Sequence, residues 1–133
     1  MKPNELMIGD WVEYGQYITT VRSLSDKIVL SGCVGRLDEV RPVPITPEIL
    51  EANGFSIDDD DWFVWEKRSG AYTLAEVKMY QDDDVWSASI CGPNVCEIDD
   101  LNIRFVHELQ HALWLSGIID MAYNFKIKEG GQQ

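Results

Sequence analysis

The sequence predicts a small α+β domain, and three features of the chain lead to that fold class. Short β-branched and aromatic runs separated by tight turns fill residues 1–43, which is typical of a small curled sheet of SH3-like proportions. Aromatic-rich runs over residues 62–91 are bounded by acidic turns and predict an antiparallel meander. Apolar residues recur at helical spacing over residues 104–117, which predicts a C-terminal helix packed on the sheet.

Four strands are expected in the N-terminal part of the chain. They cover residues 8–14, 17–21, 27–30 and 34–40, and a turn at Ser25 and Asp26 precedes the third. Gly35 weakens the fourth run, because glycine has no side chain to pack inside a strand. We therefore expect a small curled sheet or barrel here.

A short helix is predicted in the middle of the chain by its end signals. Thr46 is a suitable N-cap, Pro47 suits the first helical position, and Glu48 lies in the first turn, where the helix dipole favours negative charge. Asn53 and Gly54 provide the stop, since both tolerate the left-handed backbone that ends helices. This helix connects the two β-rich parts.

The second half of the chain is expected to hold a meander, a helix and one more strand. The meander strands are predicted at residues 62–67, 72–80 and 85–91, with a break at 91–94, an edge strand at 95–98, a final strand at 121–127 and a loose tail at 129–133. At 133 residues the chain suits one domain over residues 1–133, long enough to bury roughly two-thirds of its unfolded surface. A subdivision into residues 1–43 and 44–128 follows the change from the small sheet to the α+β part.

The net charge of the chain limits the classes of binding partner that are expected. The formal net charge of −12 repels phosphate at long range, so neither direct nucleic-acid binding nor binding to an anionic membrane is expected. A basic protein partner or a cation fits better. No run approaches the ~18 apolar residues that span a bilayer, and we expect a cytoplasmic protein. Cys33, Cys91 and Cys96 lack close pairing and are expected to be reduced, buried thiols.

The helix of residues 104–117 carries both histidines in the pattern His-Glu-x-x-His. In zinc hydrolases, two histidines four residues apart bind the metal and the glutamate activates a water. Applied here, His107 and His111 would be the ligands and Glu108 the general base. A third ligand is missing at the spacing of known patterns, because Gly117 stands six residues on and Asp120 lies about 13 Å along a continuous helix.

A helical wheel separates the two sides of this helix. The apolar side consists of Phe105, Val106, Leu109, Ala112 and Leu113. His107, His111 and Trp114 fall on the other side, which we expect to be the wetter one. An aromatic residue beside two histidines on such a face is a candidate surface for binding a protein partner.

Three stretches of the sequence carry a resemblance. They are IGDWV at 8–12, VRPVPITPEILEANGF at 40–55 and FVHELQHALWLSG at 105–117. Together they resemble a group of small uncharacterised proteins associated with phages and prophages of gut bacteria, whose pattern is IGN-x-V, PIPLTEEWL-x-x-FGF and YVHQLQNLYFALTG. The order and spacing agree over most of the chain, whereas the meander matches only in character. The resemblance implies a shared fold and a phage-type setting, without an established activity.

The same resemblance bears on the histidine motif. The family pattern has Gln and Asn at the positions of Glu108 and His111, and these residues do not perform the metal chemistry. We therefore expect no cofactor and a non-enzymatic, phage-type accessory protein that acts through protein contacts and forms a homo-oligomer or binds another protein. One alternative is a small zinc-dependent metallohydrolase using His107, Glu108 and His111. The other is an acidic nucleic-acid mimic.

Overall fold

The computed structural model describes residues 5–24 and 28–127, and for Val95 and Cys96 it describes the backbone alone. Two five-stranded antiparallel sheets and three α-helices make up this part of the chain. The predicted α+β class is therefore confirmed, including the C-terminal helix. The predicted turn at Ser25 and Asp26 and the predicted tail lie outside the described residues.

The first sheet has the strand order β4-β3-β2-β1-β5. Its strands are β1 (Trp11–Tyr14), β2 (Tyr17–Leu24), β3 (Ile28–Leu30), β4 (Cys33–Gly35) and β5 (Val40–Pro42). The expected continuous strand at 34–40 is wrong, because a 3₁₀ turn at Leu37–Glu39 separates β4 from β5. Gly35 ends β4 where the ring of Tyr14 leaves no room, since a Cβ there would lie 3.0 Å from Tyr14 Cε1. β5 then pairs with β1 at the opposite side of the sheet.

The second sheet has the strand order β10-β9-β8-β7-β6, which is the predicted meander with the predicted edge strand, β10, at one side and an additional strand, β6, at the other. Its strands are β6 (Ser56–Ile57), β7 (Phe63–Ser69), β8 (Tyr72–Asp82), β9 (Val85–Gly92) and β10 (Val95–Ile103). The expected break at 91–94 is wrong, because this run turns β9 into β10. β10 has nine residues, longer than expected, with two register shifts and Asp100 at φ 58°.

Helix α1 (Pro47–Ala52) begins and ends where its sequence signals predict. The Thr46 hydroxyl accepts a hydrogen bond from the backbone N–H of Ile49 at 3.2 Å. Asn53 is the C-cap, and Gly54 follows with φ 89°. The local signals were sufficient here because every group that satisfies the helix ends lies within three residues of them.

Helix α2 (Val106–Leu115) confirms the predicted C-terminal helix, but the segment after it differs from prediction. α3 (Ile119–Tyr123) stands where a strand over 121–127 was expected, so that expectation is wrong. Gly117, at φ 88°, reverses the chain, and the N–H of Ile118 bonds back to the carbonyl of Leu113 at 2.9 Å. This reversal stacks α3 against α2.

Two hydrophobic clusters underlie the two sheets. The larger cluster packs α2 and α3 on the meander through fully buried residues such as Trp86, Leu109 and Leu113. The smaller cluster lies inside the first sheet and consists of Leu6, Val12, Val21, Ile28, Leu30 and Val40. An isolated bridge between Pro44 and Phe105 joins the sheets near the start of α2.

Within residues 5–24 and 28–127, no helix combines the length and the apolar character that a membrane crossing requires.

Cys33 is exposed and Cys91 is half-buried, and both are free thiols. The expectation of buried cysteines is therefore wrong for Cys33.

Candidate functional site

The polar side of α2 does not face solvent as expected, because residues 6–11 and α3 pack against it. His107 is only 6% exposed, which makes the prediction of a wetter position wrong for this residue. The His111 side chain keeps 26% of its exposure. Trp114, at the end of the helix, is 38% exposed. The three sequence candidates thus lie on one face with increasing exposure toward the C-terminal end.

Gln110 joins three segments of the chain at the centre of this face. Its Oε1 accepts from the backbone N–H of Trp11 at 3.0 Å, and its Nε2 donates to the carbonyls of Gly9 at 2.9 Å and Ala122 at 3.1 Å. Gln110 is 3% exposed, and these bonds use its carbonyl and both amide hydrogens. Sequence reasoning missed Gln110, and the available signal was its position one turn after Val106, at the border between the polar and the apolar side of the helix.

Asp10 is the buried partner of His111. Its Oδ2 lies 2.7 Å from His111 Nε2 and also accepts from the backbone N–H of Met7 at 2.7 Å. Asp10 is 2% exposed, so this contact replaces solvent for its carboxyl group. The sequence presented Asp10 only as part of a Gly-Asp turn, because its partner is 101 residues away.

His107 occupies the most enclosed position of the face. Its ring stacks on Phe105 with a centroid distance of 6.1 Å and meets His111 edge-on at 5.5 Å. Its Nδ1 is buried and has no hydrogen-bond partner among the residues that the structure describes. Burial lowers the pKa of His107, and His111 lowers it further, against the opposing effect of the nearby carboxylates of Asp10, Glu108 and Glu5. The neutral imidazole is therefore the favoured form.

Glu108 stabilises the start of α2 through one of its carboxylate oxygens. Its Oε1 accepts from the backbone N–H groups of Arg104 at 2.9 Å and Phe105 at 3.1 Å, which satisfies donors at the start of α2. The carboxylate thus points along the helix start. No three His, Cys, Asp or Glu side chains in the described part of the chain are grouped so that they could hold a metal ion.

A small depression of about 10 Å³, with polar as well as apolar lining residues, opens beside the half-buried His111. Trp114, Ile8 and Tyr123 line it together with Met7 and the exposed edge of His111. Ile8 is 58% exposed and Tyr123 52% exposed, both high values for large apolar side chains. We call this set of three residues, Ile8, Trp114 and Tyr123, the Trp114 surface. Sequence reasoning identified Trp114 alone, since Tyr123 was assigned to a strand and Ile8 to the start of another.

The acidic turns meet at one end of the second sheet. β7 and β8 pair Phe63 with Met79, and β8 turns into β9 after Asp82. The exposed aspartates at 58–61 and 82–84 therefore lie at the same end of the meander. Between them, the rings of Trp62 and Tyr80 approach within 5.3 Å.

Comparison with known proteins gives no further assignment: no family model, curated protein or solved structure matches this chain. The candidate site is therefore defined by the geometry of this structure. It consists of a buried polar contact between residues 6–11 and α2, and of the exposed Trp114 surface beside it.

Proposed function

We propose that this protein is a non-enzymatic, phage-type accessory protein of the cytoplasm that acts through protein contacts made by the Trp114 surface. The observation that carries the proposal is the exposed cluster of one tryptophan, one tyrosine and one isoleucine around a single depression. Tryptophan and tyrosine dominate the energetics of protein interfaces, because they bury large areas and lose little side-chain entropy. Either another protein or a second copy of this chain meets this description.

The underlying contacts support a pre-formed surface. Gln110 holds Gly9 and Trp11 on one side and Ala122 on the other, so the segments that present Ile8 and Tyr123 are both tied to α2. A partner therefore does not have to order these segments on binding, which preserves affinity.

Affinity capture with a matched pair of variants tests this function. Tyr123→Asp places a charge in the Trp114 surface, whereas Tyr72→Asp makes the same change at a tyrosine that is 77% exposed on the β7–β8 hairpin. We expect a partner, or self-association, that persists in Tyr72→Asp and is lost in Tyr123→Asp at unchanged melting temperature. Equal behaviour of the two variants would reject the Trp114 surface as the contact site.

A second candidate function is nucleic-acid mimicry, supported by the two acidic turns at one end of the meander. Contiguous exposed carboxylates can occupy a basic groove that otherwise holds phosphates. Asp→Asn changes at residues 58–61 and 82–84 would abolish inhibition of a DNA-binding enzyme if this function holds. The hydrolase alternative has no comparable support, because Glu108 is engaged at the helix start.

A further inference from the structure

A second depression, of about 480 Å³, adjoins the Trp114 surface and shares two of its residues. Ile8 and Tyr123 line both cavities. Trp11 and Phe125 add aromatic walls to the second one, which lies between the first sheet and the segment after α3. We call this second depression the cationic groove.

The charges of the cationic groove oppose the charge of the whole protein. Arg22 and Lys126 line it, and no carboxylate does so among the described residues. Both side chains belong to exposed residues, and neither forms an ion pair within the described part of the chain. In a chain with 23 acidic and 11 basic side chains, two cations without an ion pair among the described residues reverse the charge inside this cavity, while Glu13 and Glu48 line the next depression beside Lys126.

The walls of the groove are held in place by hydrogen bonds at both sides. Trp11 Nε1 donates to the carbonyl of Phe125 at 2.7 Å. Asn53 binds the backbone of Lys126 twice, accepting its N–H at 2.7 Å and donating to its carbonyl at 2.9 Å. The Lys126 backbone is thus fixed while its ammonium group remains available. Such preorganisation favours binding of a ligand.

We propose that the cationic groove binds an acidic segment of a protein partner, with an apolar side chain in the groove and flanking carboxylates on Arg22 and Lys126. The inference rests on the proposed function, because the groove and the Trp114 surface form one continuous contact area through Ile8 and Tyr123. It names the chemistry of the partner at that area.

The net charge of the protein would favour a basic partner, whereas the charges inside the groove favour an acidic one. At physiological salt, charges separated by more than about 8 Å are largely screened. The contacts that determine affinity are therefore those made inside the groove, where Arg22 and Lys126 meet the ligand directly. A basic segment would place like charges against them.

Binding of three capped peptides to the full chain tests the proposal. Each peptide carries Phe-Leu at its centre, flanked on both sides by two Glu, two Gln or two Lys residues, and affinity is measured by isothermal titration calorimetry. We expect the Glu peptide to bind roughly tenfold more tightly than the Gln peptide, since two exposed ion pairs supply about that factor. The Lys peptide should bind most weakly.

A pair of double variants assigns the preference to the groove. Arg22→Glu with Lys126→Glu should erase the advantage of the Glu peptide. Arg68→Glu with Lys78→Glu changes the net charge equally at exposed residues of the meander and should preserve that advantage. Preferential binding of the Lys peptide, equal binding of all three, or no binding of the Glu peptide at millimolar concentration would overturn the proposal. So would an equal effect of the two double variants.

Failure of this inference is distinguishable from failure of the proposed function. If Tyr123→Asp abolishes partner capture while Arg22→Glu with Lys126→Glu leaves it intact, the Trp114 surface binds the partner and the acidic-segment inference is wrong. If neither variant affects capture, both are wrong.

Discussion

The two faces of α2 are built on different principles. The face toward the meander is apolar, with Val106, Leu109 and Leu113 all fully buried in the larger cluster. The face toward residues 6–11 is also enclosed, but by hydrogen bonds of Gln110 and by the contact of His111 with Asp10. The first face gains stability from burial of apolar side chains, whereas the second depends on polar partners. Helix and core can therefore survive changes that loosen the polar side.

The largest effect is expected on the apolar face. Leu109→Ala removes a fully buried side chain and leaves a cavity, which should lower the free energy of unfolding by about 3 kcal/mol. Urea unfolding followed by circular dichroism measures this change. A loss below about 1 kcal/mol would show that this face is not the main support of the helix.

A smaller loss is expected at Gln110. Gln110→Ala leaves the N–H of Trp11 and the carbonyls of Gly9 and Ala122 without their partner, which should cost about 2 kcal/mol. Hydrogen exchange should accelerate at Trp11 while amides of the meander stay protected. Uniform acceleration across both sheets would contradict the separation of the two faces.

Glu108 offers a test that also separates its two interpretations. Glu108→Ala removes the acceptor for Arg104 and Phe105 and should cost about 1 kcal/mol. Glu108→Gln keeps an acceptor oxygen and should lie much closer to the wild type in thermal unfolding. If both variants unfold at the wild-type temperature, the carboxylate does not stabilise the helix start.

The pH dependence should be the subtlest difference between the faces. In the folded state, burial lowers the pKa of His107 below its ordinary value of 6.5. As the pH falls, His107 is therefore protonated in the unfolded chain before it is protonated in the folded protein. The contribution of neutral His107 to the free energy of unfolding is thus complete above pH 6.5 and is lost as the pH falls from 6.5 to the lowered pKa. Below the lowered pKa, His107 causes no further loss.

The comparison that isolates this effect is His107→Leu, which removes the titrating group. Its urea midpoint should depend less on pH between 7 and 5 than that of the wild type, as a check on the direction of the pKa shift. A steeper pH dependence of the urea midpoint in the variant would mean that protonation of His107 stabilises the folded state instead of destabilising it.

Local sequence signals predicted those parts of the fold whose partners are close in the chain. α1 follows from Thr46 and Gly54, and the hairpins of the meander follow from their turns. Residues 121–127 resembled a strand in composition, but the outcome was decided by the reversal at Gly117 and by packing of α3 on α2. Tertiary contacts override such weak local preferences.

The candidate site was predictable only in part, for a related reason. The helical wheel placed His107, His111 and Trp114 on one face, which the structure retains. It carried no information on what covers that face, because Asp10 lies 101 residues from His111. The five-residue motif likewise carried no information on the hydrogen bonds of Glu108 at the helix start or on the contact between His111 and Asp10.

Photo-crosslinking tests the central claim, protein contact through the Trp114 surface, most directly. p-Benzoylphenylalanine replaces either Tyr123 or Tyr72, two exposed tyrosines at separate sites of the 133-residue chain. Irradiation in cells should give a discrete protein adduct, or a crosslinked dimer, from position 123 and none from position 72. Adducts from position 72 alone, or none from position 123, would contradict the account.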